Sequence, residues 1–189
     1  MIGPGYEYRM WFLALLTIVL SLVALGLSMV PGVLEQFLVW PVYFLAGLYA
    51  LLAVGLSLRA VVRGPNPGRG HAIIVLANLV LTPYLVETRA VQALVFQRKQ
   101  PEFEALVPQA PPPGRNAPVI LAADFGLFIV DRWGTDDRGG VYFRSVQTAH
   151  TSYGYAYRPN ALGSPFGDAG YELHPLDGDW FAFAAREGP

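Results

Sequence analysis

Three long runs of apolar residues fill the first half of the chain. They extend over about residues 10–30, 37–58 and 71–96. A helix of roughly 20 apolar residues is long enough to cross the ~30 Å hydrocarbon core of a bilayer. The third run reaches this length only by including Glu87 and Arg89, whose side chains can snorkel to the headgroups of a tilted helix. The pattern predicts three transmembrane helices in a domain of residues 1–99.

A different pattern begins at residue 119, where short alternating segments are separated by Gly, Pro, Asn and Asp. Such segments are typical of strands joined by turns. Asp177-Gly178 suits a two-residue hairpin turn, which would set His174 opposite Phe181. Pro175 should place its strand at the edge of a sheet. The predicted fold class is therefore α+β: three transmembrane helices followed by a small, mainly antiparallel β domain at residues 119–189.

Residues 100–118 connect the two predicted domains and are rich in proline. Proline interrupts regular helices and central strands. We therefore expect a semi-rigid linker that holds the β domain off the bilayer surface.

Composition supports membrane embedding and narrows the possible partners. Charged residues make up 14% of the chain, against about 25% in soluble domains, and the mean hydropathy is +0.38. Residues 1–118 hold eight Lys and Arg against five Asp and Glu, and residues 119–189 hold five against nine. Neither part has the clustered cationic face that nucleic acids need, so we predict none as a partner. The chain has no cysteine, which excludes disulfides and thiolate chemistry.

The short loops predict the orientation in the membrane. Arg59, Arg63 and Arg69 lie between spans two and three, whereas the loop between spans one and two has only Glu35. Lys and Arg favour the cytoplasmic side, and Arg9 places the N-terminus there too. Three crossings then put the C-terminal domain in the periplasm or outside the cell, with the helices in the inner membrane. A rival set of basic residues follows span three and weakens this bias: Arg89, Arg98 and Lys99.

Small and polar residues within the runs indicate how the helices pack. Small side chains at helical spacing let helices approach closely, and Asn and Thr can hydrogen-bond to a neighbouring helix. The candidate packing residues are Ala24 with Ser28, Ala46 with Ala50, and Asn78 with Thr82. The helical half resembles the small multi-pass membrane proteins common in bacteria, through the Pro31-Gly32 turn and the Arg-Gly loop. That resemblance implies no catalytic residues.

Aromatic residues in the β domain provide the candidate binding surface. Tyr153, Tyr155 and Tyr157 alternate with small residues and share one face of a predicted strand, and Trp180 follows on another. Such residues either fill the core of a small sheet or form a platform for a partner or a sugar.

Residues able to carry catalysis are sparse. No serine lies in the nucleophile-elbow motif, and no histidine has the spacing of a helical zinc site. Asp168, Asp177 and Asp179 are weak metal candidates, because turn-forming Asp explains them more simply. His71 at the start of span three is a weak candidate for contacting a haem or chlorophyll. We predict no cofactor and no catalytic residue.

These observations favour a non-enzymatic accessory or scaffold protein. Its partners would be the lipid bilayer and other membrane subunits, with an extracytoplasmic domain that binds a further partner. A membrane-anchored protein that binds a carbohydrate or small ligand is the alternative. A membrane-anchored enzyme using His174 with Glu172 or Asp179 is the weaker one.

Overall fold

A computed structural model describes residues 5–37, 40–62, 69–113, 118–148 and 150–186. The chain is α+β and divides into two compact units. The first comprises Met1–Leu27 and Phe37–Thr88, and the second comprises Ser28–Gln36 and Arg89–Pro189.

The first unit is helical. Its helices are α1 (Gly5–Leu27), α3 (Trp40–Val62) and α4 (Arg69–Glu87). The short α2 (Val33–Phe37) precedes α3 and belongs to the second unit except for its last residue. Helix α4 packs against both α1 and α3. Small and polar side chains are buried in this unit: Ala14, Thr17, Ser21, Ala53, Ser57 and Ala72. The hydroxyl of Thr17 donates to the carbonyl oxygen of Leu13 at 2.7 Å and also forms a hydrogen bond with the hydroxyl of Tyr49 on α3.

One helix of the described chain is long and apolar enough to cross a membrane, α4 over Gly70–Glu87. The other two long helices contain shorter apolar stretches, Trp11–Leu27 and Leu45–Arg59. The third predicted span, residues 71–96, is divided. It ends at Glu87 because Arg89 adopts a left-handed backbone conformation with φ 51°, which an α-helix cannot continue through.

The second unit is built on a six-stranded antiparallel sheet in the order β1-β2-β3-β4-β6-β5. The strands are β1 (Val119–Asp124), β2 (Ile129–Thr135), β3 (Val141–Gln147), β4 (Thr151–Tyr157), β5 (Ala169–Asp177) and β6 (Trp180–Arg186). The mainly antiparallel β domain is therefore confirmed.

Strand β5 lies at an edge, as Pro175 predicted. Its turn into β6 is formed by Gly178-Asp179, one residue later than the predicted Asp177-Gly178, because Asp177 pairs with Trp180 and Gly178 has φ 53°. The register differs by one residue, because His174 pairs with Ala182 and not with Phe181. An irregularity between Pro175 and Asp177 shifts the pairing, since a bulge opposes two residues of one strand to one of its partner.

Short helices cover one face of the sheet. They are α5 (Ala90–Gln97), α6 (Gln100–Glu104) and a 3-10 turn (Val107–Gln109). Phe96 and Phe103 have no exposed surface and pack with Tyr155 and Trp180 at ring-centroid distances of 4.6–6.0 Å. Residues 100–113 are therefore not an open spacer, which corrects the predicted linker. The prolines are compatible with helix because they occupy the first turn of α6 and of the 3-10 turn, where no backbone N–H is needed.

The opposite face of the sheet is covered by the loop of residues 158–168. Phe166 packs on Phe183 with ring centroids 5.7 Å apart and joins Tyr142 and Ala156 in a second buried cluster. Gly154 permits the close approach of β4 to the neighbouring strand β3, because a Cβ at that position would lie 1.9 Å from the carbonyl oxygen of Phe143. The flat face predicted beside the tyrosines thus accommodates a layer of the same chain.

Replacing Phe103 by alanine should destabilise the sheet unit strongly. We expect Phe103→Ala to lower the free energy of unfolding by about 3–5 kcal/mol, because the ring is fully buried and leaves a cavity. The matched control is Leu94→Ala on α5, whose side chain is 64% exposed and should change stability by less than about 0.5 kcal/mol. Urea unfolding of the full chain in detergent, followed by tryptophan fluorescence, measures both. Equal midpoints for the two variants would contradict this packing.

Candidate functional site

An open cavity of about 420 Å³ lies beside the turn from β2 to β3. The turn and the 158–168 loop form its walls, and the lining is mostly polar. The lining residues are Thr135, Asp136, Asp137, Asn160, Leu162, Gly163, Ser164, Pro165 and Asp168.

Asp136 organises this cavity. Its side chain is buried, and each carboxylate oxygen accepts two hydrogen bonds. One oxygen accepts from the backbone N–H groups of Arg138 and Gly140, both at 2.8 Å. The other accepts from the N–H of Asn160 at 2.8 Å and from the hydroxyl of Tyr142 at 3.0 Å. One carboxylate therefore joins the β2–β3 turn to the 158–168 loop.

Two tyrosines extend this hydrogen-bonded network. The hydroxyl groups of Tyr142 and Tyr171 lie 3.0 Å apart, and Tyr142 is also 3.2 Å from the carbonyl oxygen of Gly163. Burial raises the pKa of Tyr142 well above its usual value, and the neighbouring Tyr171 and Asp136 raise it further. Burial also raises the pKa of Tyr171 to about 12, although its hydrogen bond with Tyr142 acts in the opposite direction. Both phenols are therefore protonated at neutral pH.

A buried arginine holds the covering loop. Arg144 on β3 donates from Nε to Asp131 on β2 at 2.9 Å and makes a second, shorter contact from its terminal nitrogen. Its guanidinium also lies 5.5 Å from the ring centroid of Phe166, a distance suited to a cation–π interaction. Burial by itself would raise the pKa of Asp131, but the hydrogen bond and charge of Arg144 lower it below its usual value.

The chemistry of this site favours structure over catalysis. All four hydrogen bonds that Asp136 accepts come from the protein itself, so its lone pairs are already occupied. The two phenols hold their protons too tightly to act as nucleophiles near neutral pH. What the cavity offers a ligand is polar surface around a rigid carboxylate.

The predicted tyrosine surface is not exposed. Tyr155 and Trp180 are fully buried, and Tyr153 and Tyr157 are half-buried. Phe96 stacks on Tyr155 at 4.6 Å, so the row faces the core beneath α5 and α6. Core packing, the other interpretation of this row, therefore explains Tyr155 and Trp180, and a binding role for Tyr153 and Tyr157 stays a prediction.

A contact that the sequence did not reveal lies on this row. Gly32, between α1 and α2, has φ +80°, and a Cβ added to it would lie 2.4 Å from ring carbons of Tyr153. Nearby Val30 packs against the main aromatic core. The Pro31-Gly32 pair was the available signal, since glycine permits positive φ and close approach. A segment of the chain itself therefore covers part of the tyrosine row.

The predicted helix-packing residues are only partly buried. Ala46 is exposed, whereas Ala24, Ala50 and Thr82 are half-buried. Ser28 lies beyond the end of α1, in the second unit. Asn78 donates to Ile74 of its own helix at 3.0 Å. The residues that fill the bundle interior, such as Thr17 and Ser57, were not predicted.

The arginines predicted to set orientation lie near helix ends. Arg9 is exposed in the second turn of α1, Arg59 is exposed in the last turn of α3, and Arg69 begins α4. Arg63 lies outside the described residues.

The acidic and histidine candidates are dispersed. Asp168 lines the cavity, Asp177 is exposed at the end of β5, and Asp179 accepts from Nε of Arg158 at 2.7 Å. Within the part of the chain that the structure describes, no three His, Cys, Asp or Glu side chains lie together as metal ligands would. His174 Nε2 is 3.7 Å from Glu172, beyond hydrogen-bond distance.

Comparisons with known proteins add no functional assignment. No protein-family model, curated protein or solved structure matches the chain.

Removing the Asp136 carboxylate should open the cavity wall. We expect Asp136→Ala to lower the free energy of unfolding by at least about 2 kcal/mol, because a buried donor left unpaired costs about 1–3 kcal/mol. Amide hydrogen exchange should accelerate at Gly140 and Asn160. Asp137→Ala is the control, since that neighbouring side chain is exposed. Unchanged exchange in the Asp136 variant would refute its organising role.

The Asp131–Arg144 pair should make stability depend on pH. The pKa of Asp131 is lowered on folding, so the pair stabilises the protein above the unfolded value of about 3.9 and loses this effect as the pH falls through the folded value. Asp131→Asn should therefore reduce stability at pH 7, and its difference from the parent should shrink below about pH 4. Urea unfolding across this range measures both chains. A difference that stays constant with pH would exclude the ion pair as its source.

Proposed function

We propose that the protein is a non-enzymatic accessory subunit of the inner membrane, with three transmembrane helices and an extracytoplasmic β domain. The observation that carries the proposal is the distribution of side chains in the helical unit. Small and hydroxyl-bearing residues are inside and large apolar residues are outside. A water-soluble helical protein buries its large apolar side chains, whereas helices in lipid pack through small and hydroxyl residues.

The exposed apolar side chains occur on all three long helices. Only 11% of the Gly70–Glu87 segment of α4 is buried within the protein. The exposed set comprises Trp11, Phe12, Leu15, Val19, Leu20, Leu22 and Val23 on α1, Leu45, Leu48, Leu51, Leu52, Leu56 and Leu58 on α3, and Ile73, Ile74, Val80 and Leu81 on α4. An exposed apolar surface of this extent marks a membrane or protein contact.

Helix length is compatible with three crossings. Helices α1 and α3 each have 23 residues, which is about 34 Å at 1.5 Å per residue. Helix α4 has 19 residues, or about 28 Å. These lengths are close to the ~30 Å hydrocarbon core.

The connectivity of the chain requires an even number of crossings between residues 36 and 89. Residues 28–36, between α1 and α3, belong to the same compact unit as everything after Thr88. Both segments must therefore lie on one side of a bilayer. That requirement is met if α3 and α4 cross as a hairpin and α1 crosses once, and it is violated if only one of α3 and α4 crosses.

The positions of the arginines support the side assignment. The chain passes between the two units after Leu27, before Phe37 and after Thr88. The end of each long helix that is farther along the chain from these points has an arginine near it: Arg9 on α1, Arg59 on α3 and Arg69 on α4. Short-loop arginines favour the cytoplasm. The β domain is therefore proposed to be periplasmic or extracellular.

An accessory role fits the apolar surface that the helices leave exposed. Tyr155 and Trp180 are buried in the core and the carboxylate of Asp136 accepts all its hydrogen bonds from the protein itself, so neither group supports a catalytic centre. The apolar outer faces of α1, α3 and α4 are free to contact lipid and the helices of other membrane subunits.

Cysteine labelling tests this topology directly, because the chain contains no native cysteine. Leu162→Cys probes the β domain and Val62→Cys probes the end of α3, since both side chains are at least 75% exposed. In intact bacterial cells producing each variant, a membrane-impermeant maleimide should label the cysteine at position 162 and spare the one at position 62. Lysis should expose position 62 to the reagent.

The opposite labelling pattern would place the β domain in the cytoplasm. Labelling of both variants in intact cells would mean that residues 62 and 162 lie on one side, which contradicts three crossings. The unmodified chain is the control for non-specific reaction. Resistance to extraction by alkaline carbonate should accompany either orientation, and release by carbonate would refute membrane embedding itself.

A further inference from the structure

We propose that the tip of the β1–β2 hairpin inserts into the headgroup region of the membrane that the helices span. This inference rests on the proposed function. It assigns a lipid-contact site to the β domain, in addition to its helical anchor.

The hairpin tip is closed by hydrogen bonds and exposes two apolar side chains beside the carboxylate of Asp124, which accepts from the N–H of Gly126 at 2.7 Å. Phe125 donates its backbone N–H to Phe128 at 2.9 Å, and Gly126 between them has φ +81°. Phe128 is fully buried, and Phe125 packs on Phe103 at 4.5 Å. With both phenylalanines held by the core, Leu127 and Ile129 project outward at 60% and 62% exposure.

The hairpin tip lies at the end of the sheet that contacts the loop between α1 and α3. In an antiparallel sheet successive turns alternate between the two ends, so the β1–β2 and β3–β4 turns share one end. Tyr153 is two residues from the start of β4 and therefore lies near this end. Gly32 packs against the Tyr153 ring.

Short connections join the long helices to the second unit. Gly32 is five residues from Leu27, the last residue of α1, and five from Phe37. Arg89, the first residue of the second unit after α4, is two residues from Glu87. Since five residues of extended chain span at most about 18 Å, the β domain cannot be far from the headgroups.

The small size of the apolar tip and the short connections favour lipid as its binding partner. A bilayer interface accepts leucine and isoleucine at a depth of about 5–10 Å without a complementary protein pocket. The tip contains few apolar residues, and a stable protein interface needs roughly 800 Å² from each partner. A small apolar tip on a domain that is already tethered gains from lipid contact without a further entropic cost of association.

Depth-dependent quenching tests the site in the full-length protein. Leu127→Cys and Ile129→Cys, each labelled with an environment-sensitive fluorophore, would be reconstituted in phosphatidylcholine–phosphatidylglycerol nanodiscs containing lipids with a shallow acyl-chain nitroxide or, in parallel for position 80, a deep one. Ile120→Cys is the matched control, because it is 73% exposed on the same hairpin but near the start of β1. Val80→Cys, 74% exposed on α4, reports the membrane embedding itself.

We expect quenching of the fluorophore at position 127 to exceed that at position 120 by about twofold or more, as insertion to 5–10 Å implies. The fluorophore at position 80 should be quenched strongly. Ile129→Cys provides a second reading should Leu127→Cys fold poorly.

Three other outcomes would overturn the hairpin site. Strong quenching at position 80 with equal, weak quenching at positions 127, 129 and 120 would contradict the hairpin site and would still agree with the proposed function. Absence of quenching at position 80 would refute membrane embedding and the hairpin site together. If the emission at position 127 were unaffected by the nitroxide but changed when the protein is diluted, the tip would be a contact between two copies of the chain.

Discussion

Packing of Phe96 and Phe103 against the sheet is the interaction on which the second unit depends. These two rings come from the segment that follows α4, and they contact Tyr155 and Trp180 from the central strands β4 and β6. A sheet of about 70 residues buries little apolar surface by itself. The helices from residues 90 to 109 supply the missing layer, so the β domain begins immediately after α4. The aromatic residues of the sheet are consequently used in its core.

The two faces of the sheet are stabilised by different physics. The face beneath α5 and α6 is aromatic and apolar. The other face is covered by an irregular loop, which cannot satisfy its own backbone groups and needs polar partners. Asp136 and Arg144 are these polar partners. Asp136 accepts hydrogen bonds from backbone N–H groups, and Arg144 pairs with Asp131 and lies over the ring of Phe166. Buried charges are stable only when they are paired in this way. The cavity beside Asp136 is a consequence of this construction.

In the helical unit, small and hydroxyl-bearing side chains are buried and large apolar side chains are exposed. Thr17, Ser21 and Ser57 are buried where a soluble bundle would place leucine, and leucines face outward. Helices in lipid pack through such small and hydroxyl side chains, and this similarity is the basis of the proposed membrane location. The proposal also agrees with the uneven charge of the two halves of the chain.

Local patterns in the sequence determined the class of each element, and three-dimensional packing decided its use. Apolar runs were sufficient to predict the long helices, and alternation with turn residues predicted the strands, the edge position of Pro175 and the Gly178 turn, because these features depend on neighbours within a few residues. The sequence left open whether the tyrosines were core or surface, since alternation defines a shared face without saying what covers it. It also misjudged residues 100–113, where proline at the first turn of a helix looks the same as proline in a linker. Other features join residues distant in sequence or depend on a single backbone angle. They are the end of α4 at Glu87, the burial of Phe96 and Phe103, the contact of Gly32 with Tyr153 and the four hydrogen bonds to Asp136. Only the tertiary structure decided them, because long-range contacts leave no periodic signal in the chain.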